Sequence, residues 1–136
     1  MDFIAPFLNF ASTAVVAILA ASLGWWAKKT DWKRDIYRQK VAMRQRLYAD
    51  FLAETDRLIL KSMDEKSSQV GGFHPMTRYF SEIELLAAVP VVNAAKAICA
   101  IILESHSVAP QSTATYAELK AAFIIAARKE IDEYER

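Results

Sequence analysis

The chain is poor in the residues from which chemical sites are most often built. It has three glycines, Gly24, Gly71 and Gly72. That spacing excludes both the phosphate-cradling P-loop and the glycine-rich dinucleotide turn. Its single cysteine, Cys99, excludes an intrachain disulfide and a Cys-rich zinc site. His74 and His106 have no second His or carboxylate three or four positions on, so neither completes a helical ligand pair. There is also no Glu-x-x-His, the spacing that di-iron bundles use on facing helices. No catalytic, metal or cofactor residue is therefore assigned, and the expected protein is not an enzyme.

A further absence points to architecture. From Ile4 to Ala27, 24 residues pass without Asp, Glu, Lys, Arg or His. As a helix at about 1.5 Å per residue, such a run exceeds a hydrocarbon core of about 30 Å. The sequence thus predicts a transmembrane helix over 4–27, a short extracytoplasmic N-terminus over 1–3, and a helical domain over 28–136. A cleaved signal peptide would need a positive n-region, but only Asp2 is charged before the run. Trp25, Trp26 and Trp32, with Lys28, Lys29, Lys33 and Arg34, read as a membrane-interface belt and stop-transfer flank. All the Lys and Arg near the span follow it, so the expected location is a single-pass inner (plasma) membrane protein with its C-terminal domain cytoplasmic.

The formal net charge of +1 conceals a segregation. Residues 28–46 carry eight Lys/Arg and two Asp, 8 − 2 = +6, while residues 47–136 carry nine Lys/Arg and thirteen Asp/Glu, 9 − 13 = −4. Within the apolar run, Thr13, Ala17, Ala20, Ala21 and Gly24 recur at helical spacing as a small-residue face. Such faces let helices approach closely in lipid, so these residues are expected to pack anchors together.

Beyond Lys29 the pattern is amphipathic. Tyr37, Val41, Arg44, Tyr48, Phe51, Thr55, Leu58 and Ser62 follow in steps of three and four, predicting one helix from about Asp31 to Lys66. Thr30 or Asp31 would cap it, unless it continues the preceding helix as one rod. Ser67–Thr77, with two glycines and a proline, reads as a loop. Thr77 is the expected cap of a helix over about 78–88, and Pro90 the first turn of another, 90–105. That segment is apolar almost all round, but Lys96 and Pro90 favour a core helix over a second span. Thr115-Tyr116-Ala117-Glu118 is a capping box that opens a last helix, along which Tyr116, Leu119, Phe123, Ala126/Ala127, Glu130/Ile131 and Tyr134 recur. The fold class is all-α: an N-terminal transmembrane helix, then an antiparallel bundle of one long helix, two short in-line helices and one C-terminal helix. Phe51, Leu58, Ile83, Ile98, Ile102 and Phe123 are its expected shared core.

Asp50 and Glu54, near Arg46 and Arg57, read as a salt-bridged surface, and Cys99 as a packing residue on the most apolar helix. The aromatics among the basic residues lie on the stripe that must be buried, which argues against a nucleic-acid partner. The stretches Tyr48-Ala-Asp-Phe-Leu-Ala, Glu84-Leu-Leu-Ala-Ala-Val-Pro-Val-Val-Asn-Ala-Ala and Ala122-Phe-Ile-Ile-Ala-Ala-Arg-Lys-Glu-Ile resemble a loose set of small bacterial single-pass membrane proteins of unknown function with a cytoplasmic helical bundle. That resemblance implies a bundle and a bacterial inner membrane; it brings no activity and no site residue. The expected function is a membrane-anchored, non-enzymatic interaction or accessory subunit. Its partners would be the lipid bilayer and an unidentified protein, or a second copy in a homo-oligomer. The alternative is an oligomeric pore-forming or membrane-perturbing protein.

Overall fold

The structure, a computed structural model, describes residues 4–64, 70–106 and 115–136, giving the backbone alone for 4–11, 64, 70 and 71. Among them are four α-helices and one short 3-10 turn, and no strand: α1 (Ile4–Asp64), the 3-10 turn Val70–Phe73, α2 (His74–Leu86), α3 (Val89–Ser105) and α4 (Tyr116–Glu135). The chain divides into two compact units, Met1–Lys40 and Val41–Arg136.

The α1 helix shows why the sequence offered two readings around Thr30. Neither Thr30 nor Asp31 starts a new helix. The Thr30 hydroxyl instead donates to the carbonyl of Trp26 at 3.0 Å, back along the same helix. Pro6 lies in the first turn, where its fixed φ and missing N–H are tolerated, and Gly24 is carried within the helix.

The predicted membrane span is not borne out. Among the described residues no helix is long and apolar enough to cross a membrane. Ser12, Thr13, Ser22 and Gly24 dilute the apolar residues of α1, and Lys28 and Lys29 follow them. The single-pass description and the inner-membrane location with a cytoplasmic C-terminal domain depended on that span and fall with it.

The second unit is a helical bundle with one apolar core. Phe51 and Leu58 from α1, Ile83 from α2, Ile98 and Ile102 from α3 and Phe123 from α4 are all buried together, joined by Val91, Ala95 and Met76. This is the core the three-and-four spacing predicted. Phe123 is its centre among the aromatics, edge-on to Tyr48 with ring centroids 5.7 Å apart and tilted against Phe51 at 5.4 Å. Rings meeting at such angles gain quadrupole attraction beyond the area they bury.

Helix boundaries follow local chemistry. The α4 helix opens with the predicted reciprocal box: Thr115 Oγ1 accepts from the Glu118 N–H at 3.3 Å, and Glu118 Oε2 from the Thr115 N–H at 3.2 Å. The α2 start corrects the sequence reading. Pro75, not Thr77, marks the entry: proline occupies the first turn, and the helix begins at His74. Proline's preset φ suits that position. Thr77 is already inside the helix, its hydroxyl donating to Phe73 O at 2.9 Å. Residues 65–69 and 107–114, which include part of the predicted loops, lie outside the described residues.

Candidate functional site

Three features of the described residues carry more than packing: two polar clusters in the second unit and an exposed apolar segment in the first.

The first cluster gathers around Glu130 of α4, only 5% exposed. A buried carboxylate needs donors for its oxygens, since an unpaired one costs several kcal/mol. Glu130 has them: Tyr48 of α1 donates its hydroxyl to Oε2, and the backbone N–H of Ala88 donates to Oε1 at 2.8 Å. Burial pushes the Tyr48 phenol well above the ordinary tyrosine range, and the adjoining Glu130 carboxylate pushes it further by accepting its proton and repelling a phenolate. Tyr48 is therefore a fixed donor. Beside it, Arg44 Nη2 donates to Leu86 O at 2.8 Å, and its guanidinium lies 4.2 Å from the centre of the Tyr134 ring.

The second cluster joins α1 to α4 at the other end of their contact. Lys120 Nζ donates to both oxygens of Asp56, at 2.9 and 2.7 Å, and the Tyr116 hydroxyl donates to Asp56 Oδ1 at 2.6 Å. Thr55 Oγ1, fully buried, lies 2.8 Å from the Tyr116 oxygen. Burial alone would raise the Asp56 carboxyl; the hydrogen bonds from Lys120 and Tyr116, with the Lys120 charge, outweigh it and hold the group below the ordinary aspartate range. The Tyr116 phenol is pushed up, by burial first and then by Asp56.

Each cluster consists of donors and acceptors matched to one another. Shallow depressions lie along single helices, lined by Ile125, Arg128, Lys129, Asp132, Glu133 and Arg136 on α4 and by Trp25, Lys28, Lys29 and Trp32 on α1. Among the described residues no group of three or more His, Cys, Asp or Glu is placed to hold a metal ion. Cys99 is half-buried, and burial, with the Glu84 charge adding to it, pushes its thiol up to about 12, the opposite of an activated nucleophile. His106 sits edge-on to Phe73 at 4.9 Å, with Nδ1 2.9 Å from Ile102 O. Arg46 reaches Asp50 at 3.9 Å, an exposed pair; Arg57 bonds Glu54 through Nε at 3.1 Å and also donates to Gly72 O at 3.2 Å, which ties the 3-10 turn to α1.

The third feature is the first unit's surface. Val15, Val16, Ile18, Leu19, Leu23, Trp25, Trp26 and Trp32 are all exposed, from 56% at Val15 to 70% at Leu23 and Trp26. Lys28, Lys29, Lys33 and Arg34 are exposed among and beyond them, Lys29 Nζ standing 5.0 Å from the centre of the Trp25 ring. The membrane-interface role predicted for these seven Trp, Lys and Arg residues rested on the span and is not carried further. At 100° per residue, Thr13, Ala17, Ala20, Ala21 and Gly24 fall on an arc roughly 130° round the same helix from Leu19, Leu23 and Trp26, with Trp25 and Trp32 at its far edge. A Cβ added at Gly24 would meet nothing within 4 Å.

The polar residues of the first cluster were visible in the sequence only as interruptions. Arg44 and Glu130 each occupy a position on an otherwise apolar stripe, which is the signal that finds them. No protein-family model matches the chain, and neither a curated protein nor a solved structure matches it.

Proposed function

We propose that this chain is a non-enzymatic interaction module that associates with a second copy of itself through the apolar part of α1. The observation that carries the reading is the row of large apolar side chains from Val15 to Trp32, each more than half exposed. Water penalises such a surface in proportion to its area. Val16, Leu19, Leu23 and Trp26 follow in steps of three, four and three, the spacing of a helix-pairing seam. Val15 flanks that seam, and Trp26 alone would bury about 150–250 Å² when fully covered.

Bulky residues, not small ones, supply the gain in water, so the seam lies on the Leu19 side of the helix. Sedimentation velocity of the full chain over a range of concentrations tests this. The parent should dimerise with rising concentration; Leu19→Glu and Leu23→Glu should remain monomeric, and Gly24→Ala, on the other side, should behave as the parent. A parent that stays monomeric, or variants that associate equally well, would overturn the reading. So would a parent that floats with lipid vesicles in preference to pairing.

A further inference from the structure

The corner between α2 and α3 has no capping side chain of its own. Ala87 closes α2 and Ala88 opens α3, and neither offers a side-chain hydrogen bond. Helix ends leave backbone groups that need partners, commonly supplied by a neighbouring Ser, Thr, Asp or Asn. Here they come from other helices. Arg44 of α1 donates to Leu86 O, the last carbonyl of α2, and Glu130 of α4 accepts from the Ala88 N–H at the threshold of α3, both at 2.8 Å. The signs are the favourable ones: a cation at a helix C-terminus and an anion at an N-terminus.

We propose that Arg44 and Glu130 form a charged clamp on the α2–α3 corner, and that releasing it lets α2 open as a unit while α3, α4 and the adjoining part of α1 stay folded. Burial gives α2 a weak hold of its own. Of its thirteen residues only Met76 and Ile83 are buried, whereas α3 buries Val91, Ala95, Ile98 and Ile102. Leu85 and Val89, flanking the corner, are 84% and 70% exposed, leaving the small Ala87 as the corner's contact with the core. Segments with few buried contacts are those that open below the global unfolding free energy. Both jaws are themselves braced, Glu130 by the Tyr48 hydroxyl on its second oxygen and Arg44 by the Tyr134 ring.

Amide hydrogen exchange, resolved by peptide mass spectrometry on the full chain, tests the clamp. Glu130→Ala should speed exchange over residues 76–92 about tenfold or more, the scale of losing a hydrogen bond to a charged group. Residues 96–105 and 119–129 should change far less. Glu130→Gln keeps an acceptor for the Ala88 N–H but not the charge, so its effect on the same segment should be smaller. Arg44→Met, which retains the apolar stem, should accelerate exchange across the same residues, and it reports on the clamp even if Glu130→Ala fails to fold. Uniform acceleration over α2, α3 and α4 in Arg44→Met would place the clamp within the global folding unit and overturn the proposal. Unchanged exchange in α2 would overturn it equally.

Discussion

Two tyrosines should make this fold sensitive to alkali in a calculable way. Tyr48 and Tyr116 are both held above the ordinary phenol range, by burial first and then by a carboxylate that accepts the phenolic proton. A folded-state pKa above the unfolded value contributes stability that is fully present below the unfolded pKa, about 10 for tyrosine, and is lost as pH rises towards the folded value. Over that window the unfolded chain has released a proton that the native chain keeps. Each tyrosine then contributes a slope of about −1.4 kcal/mol per pH unit, and the two together about −2.7. Against a typical domain stability of about 5–15 kcal/mol, one to two pH units of such loss is readily measured. Urea unfolding at a series of pH values from 9 to 11.5 (roughly the window set by the phenol's ordinary pKa) gives the slope. Comparing the parent with Tyr48→Phe, Tyr116→Phe and the double variant isolates it, because lysines and the remaining tyrosines titrate in all four. Each single variant, though less stable near neutrality for want of a hydrogen bond, should lose about half of the excess slope. Parallel curves for the parent and the double variant would refute the assignment, and with it the placing of both hydroxyls beside carboxylates.

Two other outcomes follow from the packing and the ion pair. Phe123→Ala removes the ring against which Tyr48 and Phe51 both pack and should cost about 3–5 kcal/mol in chemical denaturation; a variant as stable as its parent would mean that the core closes around something else. Asp56, held below the ordinary aspartate range, contributes stability above the unfolded carboxyl pKa of about 3.9, lost as pH falls through its folded value. A pH-stability profile of the parent should show that acid-side loss, and Asp56→Asn should lack it; its persistence in the variant would assign it to other carboxylates.

The bundle was legible in the sequence because its core obeys one rule. Phe51, Leu58 and Phe123 fall at three-and-four spacing along α1 and α4, and all are buried. Thr115 and Glu118 announced the start of α4 for an equally local reason. What the spacing did not reveal was the tertiary use of polar residues on the same stripes. Arg44 and Glu130 read as ordinary members of an amphipathic repeat, since nothing local tells that their partners are backbone groups 42 residues away in each case. The start of α2 was misplaced because Thr77 is a good cap by type, while Pro75 fits the first helical turn and carried the helix further back. The membrane span rested on the absence of charge alone, and among the described residues no helix is long and apolar enough to cross a membrane.

The state of Cys99 has a practical corollary for studying the first unit. A thiol pushed up to about 12 by burial is ionised to only about one part in 10⁵ at pH 7, and the thiolate is the species that attacks maleimides and disulfide reagents. Cys99 is the only cysteine in the chain. A second cysteine introduced at the exposed Ser22, whose hydroxyl does no more than bond Leu19 O at 2.9 Å, would be the one that reacts. Spin labels or fluorophores can thus be attached to α1 selectively with the natural cysteine left in place, which makes distances between copies of that helix directly measurable in the unaltered bundle.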